Sequence, residues 1–295
     1  MSHYEDVTIV FIILHYNAIS ETKNLVKSIY DNLENDSFKI VIVDNASPNG
    51  TGKILNELYS DKSEIIVLIN QENFGFAKGN NIGIEYCRNN LKTKYICCMN
   101  NDTLIINKHF LDEIEKEYCR SNAAVIGPKA YLKNGEVQHS AFKLKSLVYY
   151  QDFLSKSINY DKNVEVRTYK NLLKRSIPSA YKVLKRIKET LLGIYLSVRH
   201  SNVILHGSCI IFTPTFFEKL NGFDNRTFLY REEELLYISL KKNGLKSIYS
   251  PNIKIMHLED AATDSIVTSN EEKRAFIRQN QVHSLQILID ELKQL

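Results

Sequence analysis

The sequence predicts an α/β fold: a doubly wound, mostly parallel sheet with helices on both faces, plus a helical insertion and a C-terminal helix. Four β-branched runs, residues 7–14, 39–43, 64–69 and 94–99, alternate with helical apolar spacing over 20–31, 52–60 and 76–89. The runs are almost continuously apolar, as strands covered on both faces must be. Every run also ends in polar residues: His15, Tyr16 and Asn17; Asp44, Asn45 and Ser47; Asn70 and Asn73; Asn100, Asn101 and Asp102. Ligands of open α/β sheets bind beyond the carboxyl ends of the strands, so these four ends are expected to form one rim.

A further helix is expected over 108–118. Residues 138–200 then change character, with few glycines, many Lys and Arg, and helical spacing around 181–198, which reads as an inserted helical element. Regular structure resumes over 203–212, with helices over 214–220 and 232–243, the second closed by Gly244. Short strands follow over 246–249 and 253–256. Residues 271–295 read as an amphipathic helix with Ile277, Leu285, Leu288, Ile289 and Leu292 on one side.

With 295 residues and 44% hydrophobic composition the chain can build a sizeable core. A net charge of +4 favours anionic ligands or an anionic surface without requiring either. The five cysteines form no CxxC pair, which points away from a zinc cage or a disulfide framework and toward a reducing compartment. No apolar run approaches the roughly 20 residues of a membrane span, and residues 1–6 lack signal-peptide features. The expected location is cytoplasmic, with peripheral attachment to the inner membrane face left open.

A doubly wound sheet also suits dehydrogenases, but the turn after the first strand, His15-Tyr16-Asn17-Ala18, has no glycine, and Gly75, Gly79 and Gly83 come after the third strand. A mononucleotide whose diphosphate is held by a cation fits better. Asp102 at a strand end can ligate Mg²⁺ or Mn²⁺, or it can turn the chain and cap a helix. Asp44 can accept a hydrogen bond from a pyrimidine with Tyr16 packed on the base, or serve as a turn carboxylate. Glu232, Glu233 and Glu234 open a helix, where acids suit the helix dipole; facing a crevice, one of them can act as general base toward an acceptor hydroxyl. His257 closes a strand, either as a structural residue or as a second ligand beside Asp102.

Taken in order, the phrases His15-Tyr16-Asn17, Val43-Asp44-Asn45-Ala46-Ser47, Asn73-Phe74-Gly75-Phe76-Ala77 through Asn81, and Asn100-Asn101-Asp102-Thr103 resemble the family 2 glycosyltransferases. The downstream phrases His206-Gly207-Ser208, Asn221-Gly222-Phe223-Asp224, Phe228-Leu229-Tyr230-Arg231-Glu232-Glu233 and Ile255-Met256-His257 extend that resemblance. It covers roughly residues 7–120 and 203–262 and implies the GT-A fold and inverting transfer, of the rhamnosyltransferase-like, polysaccharide-biosynthesis type. By this resemblance Tyr16, Asn17, Asp44, Asn73, Gly75, Asn81 and Asn101 bind the nucleotide. Asp102 and His257 hold a divalent cation, Glu233 or Glu232 is the base, and Gly207 and Ser208 lie beside the sugar or acceptor. Two departures stand out: the metal motif keeps only its final acid, and the usual Glu-Asp pair is Glu232-Glu233.

The expected organisation is a transferase domain over 1–262 with a helical tail over 263–295. Within the domain, 1–120 is the nucleotide half, 121–202 a variable basic insertion and 203–262 the catalytic half. The expected donor is a UDP- or dTDP-sugar, and the acceptor is a glycan or lipid-linked glycan of surface or capsular polysaccharide. Basic residues over 170–199 (Lys170, Lys174, Arg175, Lys182, Lys185, Arg186, Lys188 and Arg199) read either as a solvated helical face or as a helix on anionic lipid. Competing readings are a non-catalytic nucleotide-sugar or glycan-binding module and, behind it, a nucleotidyltransferase, which would need a glycine-rich basic loop after the first strand. No nucleic-acid module is recognisable.

Overall fold

The computed structural model describes residues 6–33, 37–159, 178–258 and 270–295. Strands β1 (Asp6–His15), β2 (Phe38–Asp44), β3 (Ile65–Ile69) and β4 (Lys92–Asn100) fill the four apolar runs and lie parallel in the order β3-β2-β1-β4. Alternate residues of β1 serve opposite cores. Ile9, Phe11 and Ile13 pack with α1 (Ile19–Asn32), α2 (Thr51–Leu58) and α4 (Phe110–Ser121). Val10 and Ile12 pack with α3 (Gly75–Asn90). Both sets are dry, which is why the run shows no polar alternation. Gly79 and Gly83 let α3 lie close on the sheet, since a Cβ at Gly83 would stand 2.7 Å from Ile12 Cγ2. Helix packing, and no phosphate loop, accounts for these glycines.

Beyond β4 the sheet becomes mixed. β10 (Cys209–Phe212) runs antiparallel between β4 and β6 (Val125–Leu132), and β6 pairs parallel with β11 (Ser247–His257). β5 (Thr103–Ile105) and β8 (His200–Ser201) both pair antiparallel with β11. β7 (Ala141–Phe142) and β9 (Ile204–Leu205) form a separate two-stranded ribbon.

Several expectations are corrected here. The segment read as a variable insertion from 121 onward contributes β6, a central strand. Gly127 and Pro128 interrupt its apolar pattern, and Pro128, which cannot donate to a ladder, sits opposite Ser250 where the β11 register shifts. The two short strands expected over 246–256 are one strand interrupted by that irregularity at Pro251. Residues 203–212 are split by the His206-Gly207-Ser208 turn, and the helix expected over 214–220 spans only α7 (Pro214–Phe217).

The expected helical element is present as α5 (Leu147–Ile158) and α6 (Pro178–Tyr195). Lys170, Lys174 and Arg175 lie outside the described residues. α8 (Glu232–Lys242) ends at Gly244, whose φ is +66°. α9 (Asn270–Leu292) buries Leu285, Leu288 and Ile289 against Tyr150 of α5 and Leu235 and Ile238 of α8, with Leu292 at the margin. The C-terminal helix thus braces the helix that carries the acidic cluster. Among the described residues no helix is long and apolar enough to cross a membrane.

Candidate active site

The ends of β1 and β2 are built largely for their own rigidity. His15 is fully buried, its Nδ1 2.7 Å from Thr22 Oγ1 of α1 and its Nε2 2.8 Å from Thr51 Oγ1 of α2. Burial lowers its pKa against the opposing pull of Asp44, so the ring is held neutral as a strut between two helices. Asp44 is itself buried, and its carboxylate accepts from the Ser47 hydroxyl and, at 3.3 Å, from the Ser47 N–H. Ser47 Oγ in turn accepts the Asn17 N–H at 2.9 Å. The backbone of Asn17, at φ +60°, is thereby locked to the end of β2. Tyr16 is half-buried beside it, and Asn17 Oδ1 is buried with no hydrogen-bond partner among the described residues.

The end of β3 is stitched to β2 by Asn45. Its side-chain amide donates to Asn73 Oδ1 at 2.8 Å and to the Gly75 carbonyl at 3.0 Å, while its oxygen accepts from Phe74 N–H and Asn70. Gly75 has φ +75°, and a Cβ there would overlap the Phe228 carbonyl at 2.1 Å, the same carbonyl that accepts Phe76 N–H. Asn81 donates to the Phe223 carbonyl and accepts from its N–H. Gly75 and Asn81 therefore clamp the parallel half to the 222–228 loop, while Asn73 braces the turn into α3 by accepting from Asn45 and from Gly75 N–H. Asn81 also lines a cavity of about 660 Å³ shared with Arg88, Asp224 and Arg226, which includes no other candidate site residue. Asn101 is turned inward, toward Ala18 O and Thr22 Oγ1 at the start of α1.

The second group of candidates converges. β5 pairs with β11 in a register that sets His257 against Thr103, and Leu258 N–H donates to the Asp102 carbonyl at 2.8 Å. His257 Nε2 then lies 3.3 Å from Asp102 Oδ1. His257 Nδ1 is 3.0 Å from Gln138 Oε1, an acceptor that places an N–H on Nδ1 and, in the neutral ring, leaves the Nε2 lone pair facing Asp102. Asp102 Oδ1 is buried and has no hydrogen-bond partner among the described residues. Two lone-pair donors thus face one another, an arrangement that fits a cation between them.

From this pair the site continues through the turn between β9 and β10. The His206 ring lies 5.6 Å from that of His257, and its Nδ1 is 2.9 Å from Ser208 Oγ. Asn100 N–H donates to the Ser208 carbonyl at 3.0 Å, fixing the turn to the end of β4. Gly207 N–H donates to Glu233 Oε1, also at 3.0 Å. A Cβ on Gly207 would stand 2.7 Å from that oxygen, so only glycine allows this approach.

Glu232 and Glu233 part company at the first turn of α8. Glu233 turns toward Gly207. Glu232 is 4% exposed, and burial, helped by the charge of Glu233, pushes its carboxyl up to about 8. Glu234 pairs with Arg231 and is likewise raised by burial. Tyr230 and Arg231 both occupy the left-handed region, at φ +75° and +70°, and this turn aims the two acids differently. Gln138 is the residue that the sequence did not single out: it belongs to no local motif and acquires its role only through His257, 119 positions along the chain. Ser47, the last residue of the Val43-Asp44-Asn45-Ala46-Ser47 phrase, serves by tying Asp44 to the Asn17 backbone.

A parallel half-sheet joined at β4 to a mixed half, with the turn after β4 facing across the junction, defines the GT-A architecture of the glycosyltransferases. The chain belongs to glycosyl transferase family 2, whose sequence model matches residues 10–177. Low-salt glycan biosynthesis hexosyltransferase Agl10 of Haloferax volcanii is 23% identical to it over 234 residues, 79% of this chain and 61% of that protein. The chain therefore spans about three fifths of that relative's length. The crystal structure of S. aureus TarS 1-349 superposes with a TM-score of 0.51 at 14% identity, covering 85% of this chain and 60% of that one. A longer TarS crystal structure gives 0.51 at 15% identity, with 85% and 37% covered. At such identities the likeness is one of fold.

Proposed function

We propose that this glycosyltransferase moves a hexosyl or deoxyhexosyl group, with inversion, from a nucleotide-diphosphate sugar to a hydroxyl of a glycan or lipid-linked glycan. Its setting is the assembly of a surface or capsular polysaccharide, a reading that Agl10's description as a glycan-biosynthesis enzyme supports. The observation that carries the proposal is the pair of opposed lone-pair donors, Asp102 Oδ1 and His257 Nε2, 3.3 Å apart and joined through the 206–208 turn to Glu233.

Asp102 and His257 would hold Mn²⁺ or Mg²⁺. When bound, the cation neutralises the charge that the leaving diphosphate gains. Glu233 takes the proton of the acceptor hydroxyl as its oxygen bonds to the anomeric carbon. The bond from that carbon to the diphosphate oxygen breaks on the opposite face, and the nucleotide diphosphate departs. Gly207 N–H holds the Glu233 carboxylate in place, and Ser208 borders the same space. The base and ribose belong on the rim formed by Tyr16, Asn17 and Asp44, UDP and dTDP being the donors we favour.

The test is release of nucleotide diphosphate from UDP- and dTDP-sugars with and without Mn²⁺, in wild type, Asp102→Asn, Glu232→Gln and Glu233→Gln. We expect cation-dependent release, abolished by Asp102→Asn and reduced by roughly 10²–10⁴ in Glu233→Gln. A folded Glu233→Gln protein with wild-type turnover would remove Glu233 as the base. Binding of a nucleotide sugar without turnover in any acceptor extract would favour a non-catalytic module.

A further inference from the structure

α6 has two faces, and only one is covered by the described residues. Leu192, Tyr195 and Leu196 turn inward to the core beside Val137. On the other side Val183, Leu184, Ile187, Leu191, Ile194 and, just past the helix, Val198 are each at least half exposed. At about 100° per residue the five within the helix fall inside one arc of roughly 100°, the width of a face built to be buried. Such a continuous apolar stripe on a solvent-facing helix calls for a partner.

The charges beside the stripe say which kind. Arg186 stands off one edge and Lys188 off the other. Glu189, an acid on this helix, is on the inward side and ion-paired with Lys185, which also reaches Glu136. A second copy of the chain laid on the stripe would bring basic edges against basic edges. An anionic surface would meet them with opposite charge while taking up the apolar arc. We infer that α6 docks this glycosyltransferase on an anionic lipid bilayer, with the 183–198 stripe in the headgroup region and Arg186 and Lys188 on lipid phosphates. The inner face of α6 contacts the segment of the active site: the Tyr195 ring packs 6.4 Å from His139, whose neighbour Gln138 holds His257. Docking therefore sets the active site beside the membrane.

Flotation of the full chain with phosphatidylcholine vesicles, with and without phosphatidylglycerol, tests this independently of any donor or acceptor. We expect binding to the anionic vesicles that weakens as salt is raised. Arg186→Gln with Lys188→Gln should lower the partition coefficient about 25-fold, at roughly fivefold per basic residue. Ile187→Ser with Leu191→Ser should lower it by roughly a hundredfold, and both pairs of exposed positions can change without unfolding the protein, as circular dichroism will verify. Absence of flotation with anionic vesicles at low salt overturns the inference. So does flotation that both double variants retain, or concentration-dependent dimerisation in analytical ultracentrifugation that Ile187→Ser with Leu191→Ser abolishes, since the stripe would then belong to a second copy.

Discussion

Replacing Gly207 by alanine places a methyl group where the Glu233 carboxylate now lies. The new Cβ would be 2.7 Å from Oε1 and 3.3 Å from Cδ of Glu233, about 0.7 Å inside the 3.4 Å at which ordinary contact begins. Gly207 sits in a turn pinned on both sides: Asn100 N–H holds the Ser208 carbonyl, and His206 N–H donates to the Ser140 carbonyl at 3.2 Å. The carboxylate, at the end of a flexible side chain, is the group that yields, and it loses the 3.0 Å hydrogen bond from Gly207 N–H. A displacement approaching 1 Å at a reacting group costs on the order of 10²-fold in rate. Global stability should change by less than about 1 kcal/mol, because the strain is relieved at a half-buried side chain. Steady-state kinetics on the nucleotide sugar should therefore show kcat down roughly a hundredfold with the donor KM little changed, and a denaturant midpoint close to wild type. Gly207→Ala with kcat within a factor of two of wild type would refute the placement of Glu233 at the reacting centre.

Three further outcomes are expected. Glu232 has its folded pKa raised from 4.5 to about 8, so the stability its protonated form contributes is complete below 4.5 and is lost as pH rises through about 8. Thermal unfolding of wild type should accordingly decline with rising pH across that window, while Glu232→Gln, with no proton to lose, gives a flatter profile. Gln138→Leu removes the acceptor that fixes the His257 tautomer and should weaken Mn²⁺ affinity about 10–100-fold by calorimetric titration, with the nucleotide rim intact. Gly83→Val crowds Ile12 and Val43, which a Cβ already meets at 2.7 and 3.1 Å, and should cost about 1–3 kcal/mol in urea unfolding.

The parallel half of the sheet was legible in the sequence because its information is local. β1 to β4 are runs of apolar β-branched residues bounded by polar turns, and α1 to α3 carry helical spacing, so each element's pattern follows from its own burial. The second half was less legible where pairing overrides local pattern. β6 carries a glycine and a proline within its run, and its status as a strand comes from β10 and β11 on either side of it.

The same division runs through the active site. Residue types and order placed acids and amides at the strand ends, and the family resemblance put Asp102 and His257 in one candidate set and made two adjacent glutamates the candidates for the base. Tertiary structure decided what local chemistry leaves open. The β5–β11 register brings residues 102 and 257 within 3.3 Å, and the left-handed turn at Tyr230 and Arg231 sends Glu233 toward Gly207 while Glu232 is buried. Asn81 and Gly75 show the converse, since residues with the composition of a ligand site join one half of the protein to the other, Asn81 through its side chain and Gly75 by letting the backbone approach Phe228. A residue's type fixes which bonds it can make. Only the packed chain fixes which partners are within reach, and desolvation then decides the charge that each group keeps.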